Sequence, residues 1–198
     1  MNNFEVKHTI VKKIAIFASG RGSNAQKIID FFNDSENIAI KLIVSNKITA
    51  PVLDLAEEKK IASHVLTRDT FYKKQTLLKQ LAVYDIDFIV LAGFMWLIPP
   101  YLVKAYHNKI VNIHPALLPK YGGKGMYGMY VHKAVHKAGE KESGITIHYV
   151  NEEYDEGNII FQASCPINSE DQPKDIAKKV LKLEHEHFAA QIEKLLTD

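Results

Sequence analysis

The chain has 198 residues, 46% of them hydrophobic, and its 25 Lys and Arg against 23 Asp and Glu give a net charge of +2. That length suits one domain with a sizeable core, and the near-neutral balance argues against a nucleic-acid or membrane-surface protein. The single cysteine, Cys165, excludes an internal disulfide framework and fits a reducing compartment. The polar leader 1–12 lacks the apolar core of a signal peptide, and no run approaches the roughly 18 apolar residues of a spanning helix, so a cytoplasmic protein is expected.

In chain order, short apolar runs rich in β-branched residues alternate with longer amphipathic segments. Residues 13–19 read as a buried strand, followed by a glycine-rich turn and a helix over 24–33. Residues Ile38–Ser45 form the second strand, 51–60 a helix with proline in its first turn, 63–66 a short strand and 71–84 a helix. The continuous apolar run 88–92 predicts a central strand. A short helix opened by Pro99 and Pro100 leads to the strand Ile110–His114. A glycine-rich loop, 122–128, and a helix near 131–138 follow. Strands at 143–150 and 158–166 flank the acidic loop 151–157, and a long amphipathic helix covers 172–196. The alternation predicts one α/β domain over 1–198, a doubly wound, mostly parallel sheet with an antiparallel edge and a long C-terminal helix.

Asn112 and His114 end an apolar strand that Pro115 stops. Side chains at i and i+2 of a strand share a face, and the proline biases His114 toward extended backbone. An amide donor beside a titratable imidazole suits acyl-type transfer, one group stabilising an oxyanion and the other handling a proton. The alternative is a pair of polar residues closing a strand near solvent. The run Ser19-Gly20-Arg21-Gly22-Ser23-Asn24 joins the first strand to the first helix, where free N–H groups and the helix dipole favour an anion. Gly20, Gly22 and Ala25 also meet the loose dinucleotide pattern, which expects an acid at the end of the second strand. Ser45-Asn46-Lys47 stands there instead, so a phosphate monoester is preferred to a nicotinamide cofactor, with a ligand-free turn as the third reading. A carboxylate from Asp155 placed beside His114 would favour imidazolium and fix its orientation; from its loop alone, a solvated acidic turn is the plainer reading. His132 and His136 stand at helical spacing but lack the glutamate of H-E-x-x-H, and with His185 and His187 they are read as non-metal.

Taken together and in order, these residues resemble the folate-dependent phosphoribosylglycinamide formyltransferases of purine synthesis. The matching motifs cover about 12–196: S-G-x-G-S-N at 19–24, S-N-K at 45–47, A-G-F-M at 92–95, N-I-H-P-A-L-L-P-K-Y at 112–121, G-x-T-x-H at 144–148, D-x-G at 155–157 and a helical Glu-His at Glu184. The resemblance implies 10-formyltetrahydrofolate as the formyl-donating cosubstrate, small-molecule substrates, no nucleic-acid or membrane partner, no metal, and a monomer or homodimer. It implies Asn112 and protonated His114 at the formyl oxygen, with Asp155 raising the His114 pKa. It implies Gly22, Ser23 and Asn24 on the ribonucleotide phosphate and Glu184 on its ribose. Met95, Trp96, Leu97 and Ile98, with Asn112 and the loop residues Asn151, Glu152, Glu153, Tyr154 and Asp155, would enclose the folate, and Lys74 would approach its tail. Trp96 departs from the arginine frequent in the family, and the glycine-rich loop is longer than in common relatives; it is expected to act as a lid. The alternatives are a formyltetrahydrofolate hydrolase and a non-catalytic nucleotide-binding module. A methionyl-tRNA formyltransferase would be expected to continue beyond Asp198 into a nucleic-acid domain.

Overall fold

The architecture follows from β1 (Lys12–Phe17), whose side chains alternate between two cores. The structure, a computed structural model, describes residues 11–73 and 76–197. Ile14 and Ile16 face a core completed by α1 (Ser23–Phe31), α2 (Val52–Glu58), α6 (Met129–Lys137) and α7 (Pro173–Thr197). Ala15 and Phe17 face a second core completed by α3 (Arg68–Tyr72), α4 (Thr76–Val83) and α5 (Pro100–Ala105). All four of these β1 side chains are fully buried. A strand covered on both faces has no polar side to present, which is why it reads as an unbroken apolar run.

Seven strands form one sheet in the order β3-β2-β1-β4-β5-β6-β7. The strands β2 (Ile38–Ser45), β3 (Ala62–Val65), β4 (Phe88–Leu91) and β5 (Ile110–His114) run parallel to β1. The strands β6 (Glu142–Tyr149) and β7 (Ile159–Pro166) form the antiparallel edge. The 25-residue α7 packs across α1, α6 and β6, burying Ile176, Val180 and Phe188. Each such side chain contributes about 1.5–3 kcal/mol by leaving water. No described helix is long and apolar enough to cross a membrane.

Several boundaries differ from the sequence reading. Lys12, read as the end of a polar leader, opens β1, while residues 1–10 lie outside the described residues. The helix expected over 71–84 is two helices. Thr67 caps α3 by accepting the Thr70 N–H, and the Thr70 hydroxyl accepts the Thr67 N–H in return. That reciprocal cap starts α3 three residues before the expected position, at Arg68. β1 stops at Phe17, two residues short of the expected end, because the chain turns there to meet the loop after β4. Ser19 donates its N–H to the Gly93 carbonyl at 3.1 Å and accepts the Met95 N–H on Oγ at 2.9 Å.

The sheet reverses its winding between β1 and β4. Loops leaving the carboxyl ends of these neighbours diverge to opposite sides and open a crevice, the usual ligand position in such sheets. β5 lies next to β4 and brings Asn112 and His114 to the same end.

Candidate active site

Asn112 and His114 line the cleft, which is about 450 Å³ in volume. The antiparallel neighbour β6 sets His148 opposite Asn112 and Thr146 opposite His114. Thr146 is fully buried. Its hydroxyl donates to the Ala116 carbonyl at 2.7 Å and accepts the Leu118 N–H at 2.9 Å, which fixes the course of the chain just after His114. His148 donates from Nδ1 to the Tyr149 carbonyl at 2.8 Å, leaving Nε2 to accept the Asn112 amide at 3.0 Å. That contact fixes which end of the Asn112 amide carries the donors.

Asp155 reaches this pair from the loop after β6. Its backbone has φ +58, and its Oδ2 accepts the Gly123 N–H at 2.9 Å. Oδ2 stands 3.4 Å from His114 Nδ1, while Oδ1 lies 3.5 Å from the Asn112 amide and 3.7 Å from His148 Nε2. Gly157 makes this loop possible: a Cβ there would sit 1.7 Å from the Tyr149 carbonyl oxygen.

His114 is 3% exposed. Burial pushes its imidazole down; the Asp155 carboxylate and the Tyr121 carbonyl, which accepts from Nε2 at 2.8 Å, pull it back, but it stays below the usual histidine range. The Asp155 carboxylate thus raises the His114 pKa, while desolvation of the ring outweighs that one neighbouring charge. For Asp155, burial pushes the carboxyl up, but His148, His114 and the Gly123 N–H outweigh it and hold it below the usual carboxylate range.

At the other end of the cleft, Asn24 donates to Glu184 Oε2 at 2.7 Å, joining α1 to α7 across 160 residues of sequence. Burial pushes the Glu184 carboxyl up, and the Asn24 amide only partly offsets this. The buried Asn24 Oδ1 has no partner among the described residues. Gly22, at φ +75, precedes α1, and Ser23 is exposed at its first position; neither lines the cleft. Gly22 serves packing, since an added Cβ would lie 2.5 Å from Val52 Cγ2.

The segment after β4 divides. Met95 lines the main cleft, whereas Trp96, Leu97 and Ile98 line an adjoining pocket of about 60 Å³ with Asn112, His148, Glu153, Tyr154 and Asp155. Trp96 packs at 5.6 Å from Phe71 and 6.0 Å from Tyr72, and the Arg68 guanidinium lies over its ring at 4.8 Å. The Leu97 carbonyl accepts the Tyr72 hydroxyl at 3.0 Å. Of the acidic loop, Tyr154 and Asp155 reach the main cleft and Glu153 the adjoining pocket. Asn151 and Glu152 line neither; Asn151 Oδ1 instead accepts the Glu153 N–H at 3.0 Å and shapes the turn. Lys74 lies outside the described residues.

The sequence reading gave no role to His148, Thr146 or Arg68. The first two carried a signal, since Thr146 and His148 repeat on β6 the two-residue spacing of Asn112 and His114 on β5. The glycine-rich loop forms one wall of the cleft from Gly123 to Gly128. Among the described residues no three His, Cys, Asp or Glu side chains cluster in the manner of a metal site.

The formyl transferase family model matches residues 12–192. Phosphoribosylglycinamide formyltransferase, chloroplastic, of Arabidopsis thaliana is 43% identical over 189 residues, covering 89% of this chain and 63% of that protein. The enzyme of that name from Bacillus subtilis is 37% identical over 191 residues, covering 94% and 95%. Thus the chain spans less than two thirds of the Arabidopsis relative but nearly all of the Bacillus one. The crystal structure of phosphoribosylglycinamide formyltransferase from Bacillus halodurans superposes with a TM-score of 0.86 at 36% identity, covering 94% of this chain and 96% of that one. With 181 of its residues matched by one family model and its sheet shared with solved members, the chain belongs to the formyl transferase family.

Proposed function

We propose that the protein transfers the formyl group of 10-formyltetrahydrofolate to the amine of 5'-phosphoribosylglycinamide in purine biosynthesis. The observation that carries this reading is the convergence of Asn112, His114 and Asp155 on a cleft whose far end holds the Asn24–Glu184 pair. An amide, an imidazole and a carboxylate serve acyl transfer, and the far end offers an acceptor for ribose hydroxyls beside a helix N-terminus suited to phosphate. The names of the Arabidopsis and Bacillus relatives support phosphoribosylglycinamide as the formyl acceptor.

The substrate amine is its own nucleophile. Its lone pair forms the new C–N bond to the formyl carbon, and the carbonyl electron pair moves onto the formyl oxygen beside Asn112 and His114. Collapse then breaks the bond to the folate N10, which takes a proton from His114, while the proton lost by the amine leaves through Asp155. Both His114 nitrogens face acceptors, the Tyr121 carbonyl and Asp155 Oδ2, an arrangement that suits the doubly protonated ring. Burial opposes that form in the free protein. Negative charge developing on the formyl oxygen adds the missing stabilisation, so the imidazolium forms when it is needed. Trp96, Leu97, Ile98 and Glu153, with Tyr154, take the pterin side of the folate, and Arg68 supplies a cation beside that wall.

An amine-dependence assay tests this. Formyl-folate consumption that requires the ribonucleotide supports the transferase. Consumption without it selects the hydrolase, and binding without consumption selects the nucleotide-binding module.

A further inference from the structure

The charge of the main cleft does not match an anionic substrate unless one side chain on the glycine-rich loop takes part. The acidic side chains lining the cleft are Asp155 and Glu184, both of which repel a phosphate ester. Among the described residues lining it, Lys124 is the one lysine or arginine. Arg21 and Lys47, which flank the amino end of α1 in the sequence motifs, do not line the cleft. Lys124 has no hydrogen-bond or ion-pair partner among the described residues, so its ammonium is free to meet a ligand.

The backbone around Lys124 is built for this placement. Gly123 and Gly125 both have φ +91, a conformation that side chains disfavour. An added Cβ at either position would meet nothing within 4 Å, so backbone angle rather than lack of space calls for glycine there. Gly123 is fastened to Asp155 Oδ2 through its N–H at 2.9 Å, which anchors the loop at the catalytic end of the cleft while Lys124 follows directly.

We propose that Lys124 is the cation that binds the substrate's phosphate, acting from the glycine-rich loop that lines the same cleft as Asn24 of α1. This assignment rests on the ribonucleotide as substrate. A helix N-terminus carries only about half a positive charge, and a phosphate monoester near neutral pH carries close to two negative charges. Lys124 supplies a full charge and three N–H donors to the same group.

The test compares wild type with Lys124→Ala and Lys124→Arg, using the ribonucleotide, its phosphate-free riboside and the formyl-folate. In Lys124→Ala, kcat/KM for the ribonucleotide should fall about 10- to 100-fold, the loss of one charge-assisted hydrogen bond. The riboside and folate values should stay unchanged, and Lys124→Arg should restore most of the loss. Equal losses for ribonucleotide and riboside would show a role in loop structure only, and a loss confined to the folate KM would place Lys124 on the folate tail; either overturns the proposal. Calorimetric titration with inorganic phosphate needs no turnover and separates this idea from the proposed reaction. Phosphate binding that weakens at least tenfold in Lys124→Ala supports the assignment, and unchanged phosphate binding defeats it even in a protein that formylates nothing.

Discussion

Asp155→Asn isolates the electrostatic part of the site. The substitution keeps the shape of the side chain and an oxygen for the Gly123 N–H, but removes the negative charge 3.4 Å from His114 Nδ1. At that distance, with an effective dielectric constant of about 20, the pair is worth on the order of 5 kcal/mol. Asp155 is 12% exposed at its side chain and water reduces the effect, so that figure is an upper limit on the support the carboxylate gives the imidazolium. His114 already lies below the usual imidazole range because burial disfavours its charged form. Removing the carboxylate, which raises the pKa, lowers it further. The acidic form is then lost at lower pH as pH rises, and the alkaline limb of the kcat profile moves down by the same interval. Above that limb the mutant should lose about tenfold in rate for each pH unit. A titration of the His114 ring by NMR should show the same displacement. An alkaline limb and a ring titration that both coincide with the wild type's would refute the coupling between the two residues.

Asn112→Ala and His114→Ala should each lower kcat by about 10²–10³-fold with little change in KM, since their roles belong to the transition state; unchanged kcat removes the residue from the mechanism. Glu184→Gln should raise thermal stability at neutral pH while weakening the ribonucleotide about tenfold. Burial raises the Glu184 pKa, so its stabilising contribution is complete below the ordinary carboxylate range and is lost as pH rises through the raised value. The mutant's advantage should therefore vanish in acid, and a constant melting difference across pH would contradict this account. Trp96→Arg should cost about 1–3 kcal/mol in chemical denaturation and raise the folate KM, because it breaks the stack with Phe71 and Tyr72 and sets a second guanidinium against Arg68. Equal stability in mutant and wild type would contradict this account.

The sequence by itself determined the elements whose cause is local. Runs such as 88–92 and Ile110–His114 specify strands through β-branched apolar residues, and their continuity specifies burial on both faces. Pro115 and the two-residue spacing placed Asn112 and His114 on one face at a strand end, where both line the cleft. The parallel order and the antiparallel edge followed from the change of pattern after the glycine-rich loop. Even locally there was a limit. The start of α3 at Arg68, ahead of the position expected, depends on a Thr67–Thr70 cap that lacks the usual glutamate.

Only the tertiary structure decided which distant groups meet. The β5–β6 register brings His148 against Asn112, and the turn beyond β6 returns Asp155 to His114. The docking of α7 on α1 joins Glu184 to Asn24 across 160 residues. Register and helix docking are set by the sum of packing over whole faces, which no short motif encodes. The protonation balance of His114 has the same origin. A sequence names the carboxylate that raises its pKa, but how much water the fold removes from the ring is a property of everything packed around it, and here that removal is the larger effect.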